Sequence, residues 1–159
     1  MKSLFAPWRM EFVEGHRDDQ GCVLCKIAQA GISKESLVLH SGQSMYVVMN
    51  KFPYSNGHLM VVPFRHIGQW TELKPDELAE MGSLTQKGIQ ALTRAFSPQG
   101  FNLGVNLGRA SGAGIADHVH QHIVPRWVGD FNFMPLFSET KVISEHLEKT
   151  YQRLLEAWS

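Results

Sequence analysis

Three histidines occupy every second position of one segment, His118-Val119-His120-Gln121-His122, and this alternation constrains the chain more than any other feature. Successive side chains of a β-strand point to opposite faces, and each residue advances the strand by about 3.3 Å. The spacing therefore predicts a strand that carries all three imidazoles on one face. Because imidazole nitrogens are costly to bury without partners, this pattern favours a chemical site over the alternative, an exposed histidine-rich strand.

The charge balance argues against partners that are recognised by a general electrostatic field. The chain has 159 residues, with 15 Lys plus Arg against 15 Asp plus Glu, so nothing draws it as a whole to nucleic acid or to an anionic membrane. No apolar run approaches the roughly 20 residues of a membrane span, and residues 1–14 lack the core of a signal peptide. We therefore expect a cytoplasmic protein that contacts neither nucleic acid nor membrane.

The pattern of apolar residues predicts an α+β domain in which antiparallel strands and helices are segregated. Strands are predicted at the histidine segment and at 44–49, 58–63 and 101–106, and helices at 25–30, 75–96 and 144–158. We see no internal repeat or long linker. Residues 1–159 are therefore expected to form a single domain, with an N-terminal extension at about 1–20 and a C-terminal tail and helix at about 127–159.

The only two cysteines, Cys22 and Cys25, are spaced as Cys-x-x-Cys. In a reducing compartment such a pair is either a redox motif or half of a zinc site, rather than a lasting disulfide. A redox motif would be expected beside a βαβ unit, and none follows here. A zinc site needs two further ligands, for which the histidines are candidates.

A glycine-rich loop, residues 108–114, leads directly into the histidine segment. Such loops can turn backbone amides towards an anion, although many are only turns. Beside several histidines the loop predicts a phosphate cradle next to a nucleophile. With a pKa of about 6.5, an imidazole is mostly uncharged at neutral pH and can attack phosphorus directly.

Further segments extend this pattern into a resemblance that covers nearly the whole chain. They are Cys22-Val23-Leu24-Cys25-Lys26-Ile27, residues 57–66 (GHLMVVPFRH), Asn106-Leu107-Gly108, and Pro125-Arg126 directly after the histidine segment. Together they resemble the histidine triad (HIT) family of nucleotide hydrolases and transferases. Residues 4–10 (LFAPWRM) and 125–133 (PRWVGDFNF) are similar to the branch related to diadenosine tetraphosphate phosphorylases. The resemblance implies a HIT-like fold: an antiparallel sheet, one long central helix and a C-terminal helix.

The resemblance also implies roles for particular residues. His120 matches the nucleophile, which attacks the α-phosphorus of a nucleotide to give a nucleotidyl-histidine, and His122 matches the residue that hydrogen-bonds the phosphate or leaving group. A structural zinc site is implied at four positions, Cys22, Cys25, His66 and His118. For His66 an ordinary histidine is the alternative, and for the cysteines two buried thiols. His58 is expected to be structural.

Further positions match nucleotide contacts in the family. Asn50 matches a ribose contact but is equally typical of a turn-capping asparagine, and Asn106 matches a residue that orients phosphate or histidine but is equally typical of a strand end. Backbone amides of the loop are expected to contact phosphate at Gly112, Ala113, Gly114 and Ile115, together with the neighbouring side chain of Ser111. In hydrolase branches the stretch Ala113-Gly114-Ile115-Ala116 instead carries polar side chains, and its apolar character here favours the phosphorylase-like branch.

The predicted function is that of an enzyme that cleaves a P–O–P bond in an adenine dinucleoside polyphosphate, by hydrolysis or phosphorolysis. A slow or non-catalytic nucleotide sensor, a nucleoside phosphoramidate hydrolase and a zinc-stabilised scaffold are the alternatives. The resemblance further implies a homodimer. Gln121 stands where an apolar residue is usual, and we expect it to face away from the catalytic side, towards packing or a subunit contact.

Overall fold

The computed structural model describes residues 21–130 and 143–158 of this chain. Its main elements, in chain order, are α1 (Val23–Ala30), β1 (Val38–Ser41), β2 (Met45–Met49), β3 (Leu59–Pro63), α2 (Pro75–Phe96), β4 (Gly100–Val105), β5 (Gln121–Arg126) and α3 (Leu147–Trp158). Single turns of 3-10 helix lie at Trp70–Glu72 and Arg109–Ser111. The predicted N-terminal extension, 1–20, and residues 131–142 of the predicted tail lie outside the described residues.

The five strands form one sheet in the order β1-β2-β3-β5-β4, and every adjacent pair is antiparallel. All residues of β2 and β3 are buried, which agrees with their unbroken apolar sequences MYVVM and LMVVP. Helix α2 packs on β2, β3 and β5, while α3 packs on α2 and β1. The predicted α+β fold, with one long helix and a C-terminal helix, is confirmed.

Helix α2 has the boundaries that its end signals predict. Pro75 occupies the first turn, and the Glu77 carboxylate accepts a hydrogen bond from the Lys74 backbone amide at 2.8 Å, which satisfies a donor that the helix itself leaves unpaired. The close fit of the helix on the sheet depends on Gly88, where an added Cβ would lie 2.9 Å from Ile123 Cδ1. The 22-residue helix α2 therefore packs closely against β5, the strand that follows from the histidine segment.

The predicted strand was expected to contain all three histidines, and this is wrong, because the observed strand begins later in the chain. Regular strand β5 begins at Gln121, so only His122 lies within it, and His118 and His120 precede it. The ladders explain this, since the pairing of β5 with β3 and its pairing with β4 both end at Gln121. Before that point the chain changes partner, and the Val119 amide donates to the Ile67 carbonyl at 2.7 Å.

Other predicted boundaries shift by a few residues. Helix α1 begins at Val23 rather than 25, α3 at Leu147 rather than 144, and β4 spans Gly100–Val105 rather than 101–106. Strand β1 was not predicted at all; it has only four residues, and its pairing with β2 is interrupted by an irregularity between Val38 and His40. A strand this short carries too few alternations to be distinguished in the sequence.

Two buried tyrosines fasten the outer helices to the sheet. The Tyr46 hydroxyl donates to the Leu24 carbonyl of α1 at 2.8 Å, and the Tyr151 hydroxyl of α3 donates to the Val38 carbonyl of β1 at 2.9 Å. Leu24 is itself buried, so α1 is anchored by apolar contact as well as by a hydrogen bond. Among the helices of the described residues, none has the length and apolar character needed to cross a bilayer.

Candidate active site and metal site

Side chains of the histidine segment still alternate between two sides, although the first part of the segment is not a regular strand. His118, His120 and His122 are 0%, 5% and 8% exposed, and Val119 between them lies in the hydrophobic core. Gln121 donates from its side-chain amide to the Thr85 hydroxyl of α2 at 3.1 Å. Val119 thus packs in the core, and Gln121 contacts α2. Gln121 faces away from the histidines and towards packing, as expected.

His120 is held in one tautomer by the backbone of the same segment. Its Nδ1 lies 2.8 Å from the His118 carbonyl oxygen, which can only accept, so Nδ1 carries the proton and Nε2 carries the lone pair. Burial lowers the pKa of His120, and the nearby His118 lowers it further, against the opposing effect of the carbonyl hydrogen bond. At neutral pH the ring is therefore uncharged, with Nε2 able to act as a nucleophile.

His58 determines the tautomer of His122. The Tyr54 amide donates to His58 Nδ1 at 3.1 Å, so the proton of His58 must reside on Nε2, which lies 2.9 Å from His122 Nδ1. His122 Nδ1 therefore accepts, and its own proton lies on Nε2. The His122 ring stands edge-on to His120 with centroids 4.8 Å apart. We refer to His58, His120 and His122 as the inner histidines.

His58 was expected to be structural, and sequence reasoning missed its contact with His122. It is 1% exposed, and the Tyr54 ring packs against it at 4.6 Å between centroids. The contact depends on the pairing of β3 with β5, in which Met60 lies opposite His122, so that His58 reaches His122 from two residues away on the same strand face. The two residues are 64 positions apart, and no local signal in the sequence reports that pairing.

Four side chains come together beside the inner histidines, and we call them the cysteine–histidine cluster: Cys22, Cys25, His66 and His118. Their ligand atoms all lie within 4.8 Å of one another. The Nδ1 atom of His118 is 3.3 Å from Cys22 Sγ and 3.6 Å from Cys25 Sγ, and His66 Nδ1 is 3.5 Å from Cys25 Sγ. The four residues for which the sequence predicted a metal site therefore form a group that could hold a metal ion.

A backbone hydrogen bond orients the His118 ring so that it could bind a cation. His118 Nε2 donates to the Pro63 carbonyl at 2.8 Å, which leaves Nδ1 with its lone pair directed at the two sulfurs. Burial raises the pKa of Cys25, and the adjacent Cys22 raises it further, so a nearby cation would favour the Cys25 thiolate. His66 is the most exposed of the four ligands.

Two of the remaining predicted site residues, Asn50 and Ser111, have side chains that are engaged locally. The side-chain oxygen of Asn50 accepts from the Phe52 amide at 2.9 Å, as in a turn cap, and its amide nitrogen lies 3.3 Å from His58 Nδ1. The Ser111 hydroxyl donates to the Gly108 carbonyl at 2.7 Å within a 3-10 turn. Asn106 follows the end of β4 and is half-buried.

The glycine-rich loop has the backbone conformations that its sequence suggests. Gly108 and Gly112 adopt φ values of 71° and 82°, in the left-handed region that favours glycine, on either side of the 3-10 turn Arg109–Ser111. Ala113, Gly114 and Ile115 continue from this turn towards His118 without regular structure and are half-buried. Within this turn the Gly112 amide donates to the Arg109 carbonyl at 3.1 Å, so one of the amides that were expected to contact phosphate already has a protein partner. The loop leads directly into the inner histidines, and the phosphate contacts of its other amides stay a prediction.

Comparison with known proteins places these features in a family. The profile of the HIT domain matches residues 33–128, which include the sheet and the histidine segment. The AP-4-A phosphorylase of Mycobacterium tuberculosis is 42% identical over 126 residues, which amount to 79% of this chain and 65% of that protein. The chain therefore spans just under two thirds of the length of that relative.

Two further proteins are similar over smaller or more distant matches. The asymmetrical bis(5'-nucleosyl)-tetraphosphatase of Schizosaccharomyces pombe is 33% identical over 101 residues, 64% of this chain and 52% of that protein. The crystal structure of a zinc-bound histidine triad family protein from Mycobacterium smegmatis superposes with a TM-score of 0.70 and 22% identity, covering 89% of this chain and 95% of that chain. At this identity the structural likeness concerns the fold.

Proposed function

This protein belongs to the HIT family, and we propose that it cleaves a P–O–P bond of an adenine dinucleoside polyphosphate through a nucleotidyl intermediate on His120. The observation that carries the proposal is the 2.8 Å hydrogen bond from His120 Nδ1 to the His118 carbonyl, because it directs the lone pair to Nε2. The lowered pKa of the buried His120 keeps that lone pair unprotonated at neutral pH. The similarity to a protein named AP-4-A phosphorylase supports the substrate class.

In the proposed first step, His120 Nε2 attacks the α-phosphorus. The N–P bond forms as the bond from phosphorus to the bridging oxygen breaks, and the leaving nucleotide departs with that electron pair. His122 supplies the proton or hydrogen bond that this oxygen needs, since the donor chain from the Tyr54 amide through His58 leaves the His122 proton on Nε2. The backbone amides of Ala113, Gly114 and Ile115 are proposed to stabilise the charge on the phosphoryl oxygens.

In the second step an oxygen nucleophile attacks the same phosphorus, and the N–P bond breaks to restore neutral His120. We propose inorganic phosphate as this nucleophile, which would release ADP after an ATP leaving group. The stretch Ala113-Gly114-Ile115-Ala116 has no polar side chain that could orient a water molecule, and this supports phosphorolysis over hydrolysis.

We propose zinc as the ion of the cysteine–histidine cluster. Tetrahedral zinc, with Zn–S of about 2.3 Å and Zn–N of about 2.0–2.1 Å, separates sulfur from nitrogen by about 3.6 Å. The three sulfur–nitrogen distances of 3.3, 3.5 and 3.6 Å agree with that value. Four protein ligands leave no open position, so the ion would stabilise the fold and brace His118, and thiolate ligands are consistent with the reducing cytoplasm that we propose as the location.

We further propose that a second copy of the chain pairs along β4 to form a homodimer. Among the described strands β4 is paired only with β5, and residues 102–104 are exposed, with Leu103 at 50%. An exposed strand edge that carries an apolar residue is a site for pairing. Sedimentation of the wild-type chain and of Leu103→Lys tests this, since the variant should sediment as a monomer at concentrations where the wild type is dimeric.

The reaction is tested by incubating the protein with diadenosine tetraphosphate, with and without inorganic phosphate, and separating the products. The proposal expects ADP and ATP that form only when phosphate is present. AMP and ATP without phosphate would identify a hydrolase, and nucleotide binding without turnover would identify the sensor alternative. Cleavage of a nucleoside phosphoramidate with no action on the dinucleotide would instead favour the phosphoramidate hydrolase.

A further inference from the structure

The position of His66 presents a problem that the other three ligands do not share. His118 is fully buried and the two cysteines are partly buried at the start of α1, whereas His66 is exposed on the connection between β3 and α2. An exposed histidine on a connection gains conformational freedom that a metal site must remove on binding. The connection should therefore contain contacts that fix His66 before a metal arrives.

The residue before His66 provides the strongest of these contacts. Arg65 donates to both carboxylate oxygens of Glu77, from Nε at 2.6 Å and from Nη2 at 2.7 Å, and its Nη2 also donates to the Glu72 carbonyl at 2.9 Å. The Glu77 side chain is only 3% exposed, whereas that of Arg65 is 41% exposed. This two-point ion pair joins the chain next to His66 to the rigid first turn of α2.

The residues after His66 are fixed on the other side. The Ile67 carbonyl accepts from the Val119 amide at 2.7 Å, next to His118, and Gly68 approaches the backbone so closely that a Cβ there would lie 3.2 Å from the Ala116 carbonyl oxygen. His66 thus lies between one anchor on α2 and one on the segment that carries His118. Its ring stands edge-on to that of His118 with centroids 5.1 Å apart.

We infer that Arg65 and Glu77 are positioning residues of the cysteine–histidine cluster, which set its metal affinity by holding His66 against the other three ligands. The inference rests on the proposed metal site and extends it to two residues that touch no metal. Groups that orient ligands without binding the ion commonly change metal affinity by about 10–100-fold. The choice of variant matters, because removing Arg65 would leave the buried Glu77 carboxylate without its partner and endanger the fold. Glu77→Gln removes the charge and keeps the shape.

The test is a zinc titration of the full chain against a chromophoric chelator, with circular dichroism to verify folding. Glu77→Gln is expected to raise the zinc dissociation constant at least tenfold. Glu145→Gln is the matched control, since Glu145 is also poorly exposed, at 11%, and pairs with Arg153 at 3.2 Å near the start of α3. The control should bind zinc as the wild type does, even where its thermal stability falls by a similar amount.

Cobalt spectra supply a second measurement. At saturating Co²⁺, Glu77→Gln should show the visible d–d bands of the wild type, because all four ligands remain, whereas in His66→Ala, which loses one nitrogen ligand, these bands should shift. An unchanged zinc affinity in Glu77→Gln overturns the inference and leaves the metal site intact. An equal loss in Glu145→Gln overturns it as well, since the effect would then follow general stability. A wild-type chain that binds neither metal overturns both the site and this inference.

Discussion

The inner histidines and the cysteine–histidine cluster meet at His118 but are held together in different ways. Protein donors and acceptors already place the proton of each inner histidine, through the His118 carbonyl and the Tyr54 amide. In the cluster, by contrast, the ligand atoms contact mainly one another, at sulfur–nitrogen distances of 3.3–3.6 Å. In one region the protein itself places the protons, whereas the other is a group of side chains that could hold a cation. The ring of His118 belongs to the cysteine–histidine cluster, while its carbonyl accepts the hydrogen bond from His120, one of the inner histidines.

The largest effect is expected for the nucleophile itself. His120→Ala removes the only atom proposed to bond phosphorus and should lower turnover of diadenosine tetraphosphate by at least about 10³-fold, with nucleotide affinity largely kept. Product analysis and equilibrium binding measure the two quantities, and His146→Ala, at an exposed position of the described chain, is the control. Full activity in His120→Ala would refute covalent catalysis at this residue.

Metal removal tests whether the cluster supports the inner histidines. Because the proposed site brings its four ligands together only in the folded chain, a wild-type sample with free zinc at 1,000 times the dissociation constant should be more stable than one stripped by chelation, by up to about 4 kcal/mol. Turnover should fall with the metal and return with one equivalent of zinc. Chemical denaturation with and without EDTA gives the first quantity. Turnover that is unchanged after metal removal would show that the inner histidines do not depend on the cluster, and equal stability would show that the metal does not stabilise the fold.

Variants of His58 test whether turnover depends on the tautomer of His122, while His122 itself is kept. His58→Phe removes the donor to His122 Nδ1, and turnover should fall about 100-fold, a typical contribution of a positioned proton donor. His58→Gln has an amide that can donate in the same direction and should restore part of the loss. Rates measured from pH 5 to 9 should also change shape in His58→Phe. If both variants match the wild type, His122 does not depend on this hydrogen bond.

The smallest effect concerns stability near the cluster. The hydrogen bonds from Arg65 lower the pKa of Glu77 to about 2, from 4.5 in an unfolded chain, so the ionised form stabilises the fold above about pH 4.5. Allowing for the exposed Arg65, this amounts to about 1–3 kcal/mol, which is lost as pH falls from 4.5 through 2. With EDTA present throughout, the stability difference between wild type and Glu77→Gln should therefore be largest at pH 7 and shrink towards pH 2. A difference independent of pH would mean that the ion pair does not cause it.

The parts of the fold that follow from local patterns could be predicted. Helix α2 was predictable because Pro75, an apolar stripe and a stop at Ser97 all agree, and β2 and β3 because their apolar runs end at a turn. The start of β5 was not, since it depends on where two neighbouring ladders end rather than on the alternation of the histidines. The alternation of residue types along the sequence shows which side chains lie on the same face, whereas the pairing with neighbouring strands determines where a strand begins.

The same distinction applies to the site. The four residues of the cysteine–histidine cluster came from the resemblance to a family, and the structure brings them together. His58 was expected to be structural because it follows Gly57 at the start of a predicted strand, and only the pairing of β3 with β5 places it against His122. The side chains of Ser111 and Asn50 satisfy nearby backbone groups, as in the turn cap that was the alternative for Asn50, and their predicted nucleotide contacts stay predictions.

The attachment of α1 by the Tyr46 hydroxyl and the buried Leu24 has a consequence for how the protein would acquire its ion. Since neither docking contact involves a residue of the cysteine–histidine cluster, we expect zinc to bind without a folding step. The observed rate of zinc uptake should rise in proportion to zinc concentration, without a plateau set by a slow rearrangement. A chain depleted of zinc by a competing chelator would then regain it as soon as the ion returned, and its supply could vary without repeated unfolding.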